Sequence, residues 1–441
     1  MLHQLLFLAA LLATLGVFAF TARKYIAYFR ITRKDFPVRE IGRRVGVMLE
    51  VAIGQTKIFR RPVLGLLHAL VFWGFCVILI GSIEMVIDGL TGTERVLGGL
   101  GIVYDVIMAS AMCCPAHRSG HPGLSVSAVS SFMSGGFPGV EMKHISHVDA
   151  NIALTVIFLL MVSLLGMNTF YLLEMQAEGH AVEGVYPVSR ILASLFPTGP
   201  EGSALWHDVN WWTHILLIFA FANYLPYSKH FHVFMSVPNV FLSRLEPLGK
   251  LSTMESITKE VKIMMDPNQA FAPAPEGEEE AVERFGILDV EDVSWKSYLD
   301  SLACTECGRC TSVCPANLTG KLLSPRKVVM DVRARMKEKG PGVRKNGSEY
   351  NDGKALLRDY ISEEELWACT LCNACAQECP ININHPALIV GMRRYLVMEE
   401  SAAPGELNAI FSNIENNGAP WQFSQDDRML WAEDLMINET N

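Results

Sequence analysis

The sequence is short of charge. Only 19% of its 441 residues are Asp, Glu, Lys or Arg, against 50% hydrophobic residues and a mean hydropathy of +0.24. That balance excludes a disordered chain and is too apolar for an ordinary soluble enzyme. Basic residues are the minority, 37 against 46 acidic for a net charge of -9, so there is no cationic footprint for nucleic acid. Kinase, nucleotide-binding and DNA-binding motifs are missing as well. A disulfide framework is also excluded, because eight of the eleven cysteines fall in two identical arrays far down the chain.

The apolar residues gather in the first 230 positions. Spans of near-bilayer length are expected at Leu2–Ala22, Val63–Ile83, Ile152–Leu173 and Val209–Tyr227, with a shorter fifth from Val96 to about Met112 that carries Asp105. The loop after the first span holds eleven basic residues from Arg23 to Arg61, which the positive-inside rule places in the cytoplasm. The N-terminus is then outside, and five spans leave the C-terminal half inside, in the reducing compartment that free thiolates need. The first run lacks a short basic leader and a small-residue cleavage site, so it reads as retained. Residues 113–139, a Ser/Cys/Pro/His mixture with Cys113, Cys114, Pro115, His117 and His121, break the membrane pattern. They read either as a cytoplasmic loop after a short third helix or as a local reading-frame error, which resequencing the gene decides. Cys113 and Cys114 have no partner motif, and Cys76 reads as a small buried hydrophobe.

The expected organisation is mainly α: a membrane domain over 1–235, a connector and Pro/acidic linker over 236–281, a soluble domain over 282–400 and a tail over 401–441. The soluble domain carries both arrays. Cys304, Cys307, Cys310 and Cys314 precede Pro315, and Cys369, Cys372, Cys375 and Cys379 precede Pro380. Both are C-x2-C-x2-C-x3-C-P, the ligand run of two-cluster ferredoxins, in which the fourth Cys serves the other cluster. The expected ligand sets are therefore Cys304, Cys307, Cys310 and Cys379 for one [4Fe–4S] cluster, and Cys369, Cys372, Cys375 and Cys314 for the other. Zinc is the alternative, since it also takes four thiolates, though its motifs usually pair two C-x2-C units.

Three histidines bear on the membrane half. His68 lies a few residues into the second span, and an imidazole at that depth needs a partner. His214 lies toward the outer end of the last span, and His232 follows its inner end, after Pro226-Tyr227-Ser228-Lys229. His68 and His232 can then stand at similar depth on facing helices, a geometry for holding one haem; the alternative is that each is an ordinary packing histidine.

With these residues the membrane half resembles the gamma subunit of respiratory nitrate reductase and the membrane cytochrome of heterodisulfide reductases. The separation of His214 and His232 and the P-[FY]-S-[KR] tail carry the match. The resemblance implies a five-helix cytochrome b-like bundle and a cytoplasmic-side haem b on His68 and His232. It also implies an outer haem pairing His214 with a histidine at position 78, where this chain has Ile78. The soluble half resembles the ferredoxin portion of heterodisulfide reductase and anaerobic glycerol-3-phosphate dehydrogenase subunits, through Leu366-Trp367-Ala368-Cys369 and Gly391-Met392-Arg393-Arg394. Those relatives carry CCG repeats that are missing here, which implies a cysteine-rich redox partner.

The expectation is a multi-pass subunit of the inner membrane that moves electrons between a cytoplasmic redox partner and the quinone pool through two [4Fe–4S] clusters and haem b. It has no catalytic residues of its own beyond a quinone site, for which His214 is a candidate. Two rivals are a self-contained quinone oxidoreductase fed by a ferredoxin or electron-transfer flavoprotein, and a membrane-anchored redox sensor.

Overall fold

The computed structural model describes residues 1–106, 144–266 and 284–433, apart from residues 94, 181, 183, 197 and 198. Residues 113–139, including Cys113 and Cys114, lie outside the described residues. The described chain is helical, without strands, and divides into two compact units: 1–252 with 289–388, and 253–288 with 389–441.

The first unit begins with a bundle of long helices, α1 (Leu2–Ile31), α3 (Pro62–Thr91), α4 (His144–Glu178) and α6 (Pro200–Tyr224). Proline sets the first turn of α3 and α6, where its missing N–H costs nothing, and Gly92 closes α3 in the left-handed conformation (φ 73°). Among the described residues three helices are long and apolar enough to cross a membrane, within α1, α3 and α4, and not the five expected. The reasons differ. The expected span at Val96–Met112 starts as a short 3-10 turn over Val96–Leu100, and is described only as far as Val106. Helix α6 covers most of the last expected span but interleaves His207, Asp208, Asn210, His214 and Asn223, and among the described residues it packs most extensively against α4, which buries His214 and leaves Asp208 exposed.

Between α1 and α3 the chain forms α2 (Ile41–Val47), a π-helical turn over Met48–Ile53 and a short 3-10 turn over Ile58–Arg60. The buried Arg44 guanidinium ties this segment to the end of α7 (His232–Phe241), donating to the carbonyls of Arg39 at 2.6 Å, Phe241 at 3.2 Å and Ser243 at 2.8 Å. Asp149 of α4 gathers the tail of α6, accepting from the Tyr224 hydroxyl, from Ser228 Oγ at 2.9 Å and from the Lys229 N–H at 2.9 Å.

The cysteine arrays follow, framed by α9 (Trp295–Ala303) and α12 (Pro325–Asn346). Helix α12 has Ser324 as its N-cap, Pro325 in its first turn and Gly347 (φ 92°) beyond its end. Its fully buried Arg335 clasps two carboxylates: Nη2 donates to Asp289 Oδ2 and Asp352 Oδ1, both at 2.7 Å, and Lys339 Nζ reaches Asp289 Oδ2 at 2.9 Å. This network ties the start of the domain to the segment between the arrays.

The second unit holds α8 (Glu255–Met265) and α16 (Gly405–Asn417). Its Ile287 N–H bonds to the Gly391 carbonyl at 2.9 Å, and only glycine fits at 286 (φ 80°), where a Cβ would sit 2.3 Å from the Tyr395 nitrogen.

Replacing Arg335 with Met leaves two buried or half-buried carboxylates short of their main partner. The expected loss is ~3 kcal/mol, read as earlier onset of proteolysis within 289–388 when the full chain is titrated with denaturant in detergent. A shift under ~1 kcal/mol would show that Lys339 alone holds Asp289.

Candidate electron-transfer site

The two arrays fold into the same loop. In each, the residue before the second cysteine and the residue after it take left-handed backbone: Glu306 (φ 61°) and Gly308 (φ 75°) in the first, Leu371 (φ 54°) and Asn373 (φ 61°) in the second. Three of these are not glycine, so the loops hold conformations that side chains disfavour. The result is a tight turn whose N–H groups point inward to negative charge. The Leu371 N–H lies 3.4 Å from Cys369 Sγ, and the Glu306 N–H makes the equivalent bond to Cys304.

The thiols gather crosswise. Cys310 lies within electrostatic reach of Cys307, Cys304, Cys379 and Cys375, and Cys375 within reach of Cys369, Cys314 and Cys372. Burial pushes the thiols of Cys304, Cys375 and Cys379 up to about 12, and that of Cys310 well above its usual value. Burial thus keeps these thiols neutral until a metal centre displaces their protons. Among the described residues no three Cys, His or carboxylate groups converge tightly enough to hold a single metal ion. Exposure is unequal: Cys372 is exposed, whereas Cys304, Cys310, Cys314, Cys375 and Cys379 are buried.

The array loops sit on the chain segment that opens α3. Arg309, beside Cys310, donates to the carbonyls of Lys57 at 3.3 Å and Ile58 at 3.4 Å. From the other side Lys57 Nζ reaches the Cys379 carbonyl at 3.4 Å, Arg60 donates to the Gln377 carbonyl at 2.7 Å, and Arg61 pairs with Glu378 at 3.2 Å. A second tie runs through α7: Asn239 Nδ2 donates to the Ile381 carbonyl at 2.9 Å, and its Oδ1 accepts from the buried Lys296 at 3.0 Å. Burial holds the Lys57 ammonium below its usual range, with the Cys379 thiol pulling the other way.

Seven residues along α3 from Arg61 lies His68. Its Nδ1 is 3.1 Å from Oε1 of Gln55, a buried residue, and its ring is within electrostatic reach of Arg309. An imidazole whose Nδ1–H is fixed in this way presents Nε2 as a ligand. His232, at the start of α7, stands close enough to His68 to feel its charge. Burial, then the charges of His230 and His68, push His232 down to about 3, against the Lys229 backbone. Its Nδ1 is buried without a hydrogen-bond partner. The structure thus brings His68 and His232 together. It does not bring His214 to them: that ring is fixed by Ser163 Oγ at 2.9 Å and the Leu160 carbonyl at 3.0 Å, and lines a separate cavity with Ile78.

Sequence reasoning missed Gln55 and the role of the Lys57–Arg61 cations, which it credited to membrane orientation alone. Three basic residues directly ahead of a Pro-initiated span were the available signal for a docking seat; Gln55 gave none.

Residues 300–383 match the 4Fe-4S dicluster domain. The chain is 28% identical over 98% of its length to a probable iron-sulfur-binding oxidoreductase, FadF, of Bacillus subtilis (strain 168), and covers 61% of that protein. It is 25% identical over 99% of its length to an EtfAB:quinone oxidoreductase of Syntrophomonas wolfei, covering 60% of it. A probable membrane-anchored ferredoxin of Chromohalobacter salexigens is 37% identical over 34% of this chain and 24% of its own. The chain thus spans about 60% of the length of the first two relatives. No solved structure matches. The findings support two [4Fe–4S] clusters in a helical chain with membrane-length helices, homologous to iron–sulfur oxidoreductases.

Lys57 places positive charge beside Cys379 and on neither side of Cys372. Replacing it with Met is expected to lower the midpoint potential of one cluster by ~50 mV while the other stays put, as followed by EPR-monitored redox titration. Equal shifts in both clusters, or none, would remove Lys57 from this role.

Proposed function

We propose that the chain is a membrane-anchored electron-transfer subunit passing electrons between a cytoplasmic redox partner and the quinone pool, with two [4Fe–4S] clusters and one haem b. The observation that carries this reading is the seat of the cysteine loops on the start of α3, one helical turn or two from His68. A redox domain held there by Arg309, Arg60 and Arg61 has its outlet into the membrane.

Cys304, Cys307, Cys310 and Cys379 are assigned to one cluster, and Cys369, Cys372, Cys375 and Cys314 to the other. His68 and His232 are assigned to the haem. The fit rests on the fixed Nδ1 of His68, which leaves Nε2 to bind, and on the buried, unpartnered Nδ1 of His232. When bound, these groups supply one-electron transfer; the chain orients them, shields them from water and sets their potentials. The Glu306 and Leu371 N–H groups and the Lys57 charge act on potential, and Gln55 holds the His68 ring. The exposed Cys372 marks the edge facing the soluble redox partner. That partner is a cysteine-rich CCG-type subunit or domain, a reading supported by the extra length of the relatives. An N-terminus outside and clusters in the cytoplasm accord with the basic segment 23–61 on the cluster side. The likeness to a nitrate reductase gamma subunit supports the inner haem alone, since Ile78 cannot ligate an outer one.

A second reading, a self-contained quinone oxidoreductase served by an electron-transfer flavoprotein, is favoured by the name of the Syntrophomonas relative, which matches 99% of this chain. Quinone reduction by the purified chain with a reduced flavoprotein and nothing else would select it.

Two measurements test the assignments. A pyridine haemochrome assay of the purified chain is expected to give about one haem b, lost in His68→Ala and retained in His214→Ala; retention in His68→Ala overturns the haem site. For the clusters, Cys304→Ala with Cys379→Ala is expected to lose about four of eight irons, and Cys304→Ala with Cys314→Ala both sets. The reverse pattern would mean that each array ligates its own cluster.

A further inference from the structure

The half of the bundle remote from the cysteine loops contains a cavity of about 400 Å³ between α1, α3, α4 and α6. Its α3 wall begins at Val77 and Ile78, ~15 Å further along the helix than His68. Ile78, Gly81, Met85 and Asp88 form one face of α3 there, and His214 of α6 also lines it. Ile78 leaves α3 without a histidine facing His214 here, and the other imidazoles that line the cavity are His3 and His207.

The lining is polar in a way that apolar packing does not explain. Arg95 is held by aromatic hydroxyls, donating to Tyr186 at 2.5 Å and Tyr104 at 3.3 Å, with its guanidinium 3.8 Å from the Tyr171 ring centre. Glu84 is spent on the Leu97 N–H at 3.0 Å, and Asp88 on the N–H groups of Arg95 and Val96 at 2.9 and 3.1 Å. Asn168 differs. It is fully buried and lines the cavity, and its Oδ1 accepts from Arg95 at 2.9 Å. Arginine can only donate, so this contact fixes the amide and leaves Nδ2 as its remaining donor. That Nδ2 is buried and has no partner. A buried donor without an acceptor is destabilising, and an accepting ligand oxygen brought against it removes that penalty.

We propose that this cavity binds the quinone headgroup, with one carbonyl oxygen accepting from Asn168 Nδ2 and the His214 ring beside it. The site deepens the quinone-linked reading above and rests on it. The volume is within the range of small-ligand pockets, and the walls combine apolar surface with polar side chains from all four helices. The reaction balances when the bound quinone takes two electrons from the chain's own carriers and two protons, one on each oxygen, and leaves as quinol. His207, which lines the cavity with Nδ1 3.6 Å from Glu174, is placed to pass those protons.

The test is direct binding to the full chain in lipid nanodiscs, using 2-heptyl-4-hydroxyquinoline N-oxide, a quinone-headgroup mimic whose fluorescence is quenched when bound. One saturable site per chain is expected for the natural sequence. Gly81→Leu fills the cavity without a clash, since a Cβ there meets nothing within 4 Å, and replaces a poor helix former with a good one. It should weaken binding by at least ~tenfold with the iron content unchanged. Asn168→Leu, which removes the donor at similar volume, should weaken it comparably. Saturable binding that neither variant alters overturns this site and leaves the quinone-linked reading in place. No saturable binding by the natural chain overturns that reading itself.

Discussion

Everything functional in this chain depends on one docking contact, in which Arg309 donates to the carbonyls of Lys57 and Ile58 while Lys57, Arg60 and Arg61 reach back to residues 377–379. Each partner alone is unremarkable: a basic segment beside a membrane helix, and a cysteine-rich loop. Together they set the thiols of one array against the helix that carries His68. Most of these bonds end on backbone carbonyls, so they fix position more tightly than a pair of flexible charged side chains would. Asn239 adds a second tie from α7, which carries His232. Both helices that bear a proposed haem ligand are thus fastened to the same soluble domain.

The interior of the bundle is polar at chosen depths. Helix α6 carries His207, Asp208, Asn210 and His214, of which His214 is buried against α4 and Asp208 is exposed, so it lacks the apolarity of the other long helices. Polar groups at membrane depth are expensive and normally paired. Most here are paired, through Ser163 and His214, Arg95 and Tyr186, or Glu84 and Leu97. Asn168 Nδ2, Asn223 Oδ1 and His232 Nδ1 are left without partners, and the first and last lie where a ligand is proposed.

The cysteine arrays were legible in the sequence because ligand spacing is a local property: two C-x2-C-x2-C-x3-C-P runs dictate two loops, and the loops form with matching left-handed residues. Helices α1, α3 and α4 were legible because apolar runs of bilayer length have few other uses. That His68 and His232 come within electrostatic reach of each other was readable only as a matter of depth along two helices. What stayed hidden was set by tertiary contact. Gln55 owes its role to an unusual backbone (φ 54°) that brings a residue thirteen positions away onto the His68 ring. Arg95 turns its guanidinium inward, because Tyr186, Tyr104 and the Asn168 amide oxygen are partners that only the folded bundle brings to it. The five-span expectation failed where apolar content was a poor proxy for helix length and burial.

The uneven exposure of the eight array thiols bears on survival in air. Oxidants attack thiols they can reach, and sulfenic acid is the first rung. Cys372 is the open position, while its counterpart in the first array, Cys307, is half-buried and the fourth thiol of each array is buried. Oxidative loss would therefore begin at one end of the array pair and leave the end seated on α3 for last. An aerobically handled sample would first lose its connection to the soluble side, with the membrane-facing half still intact.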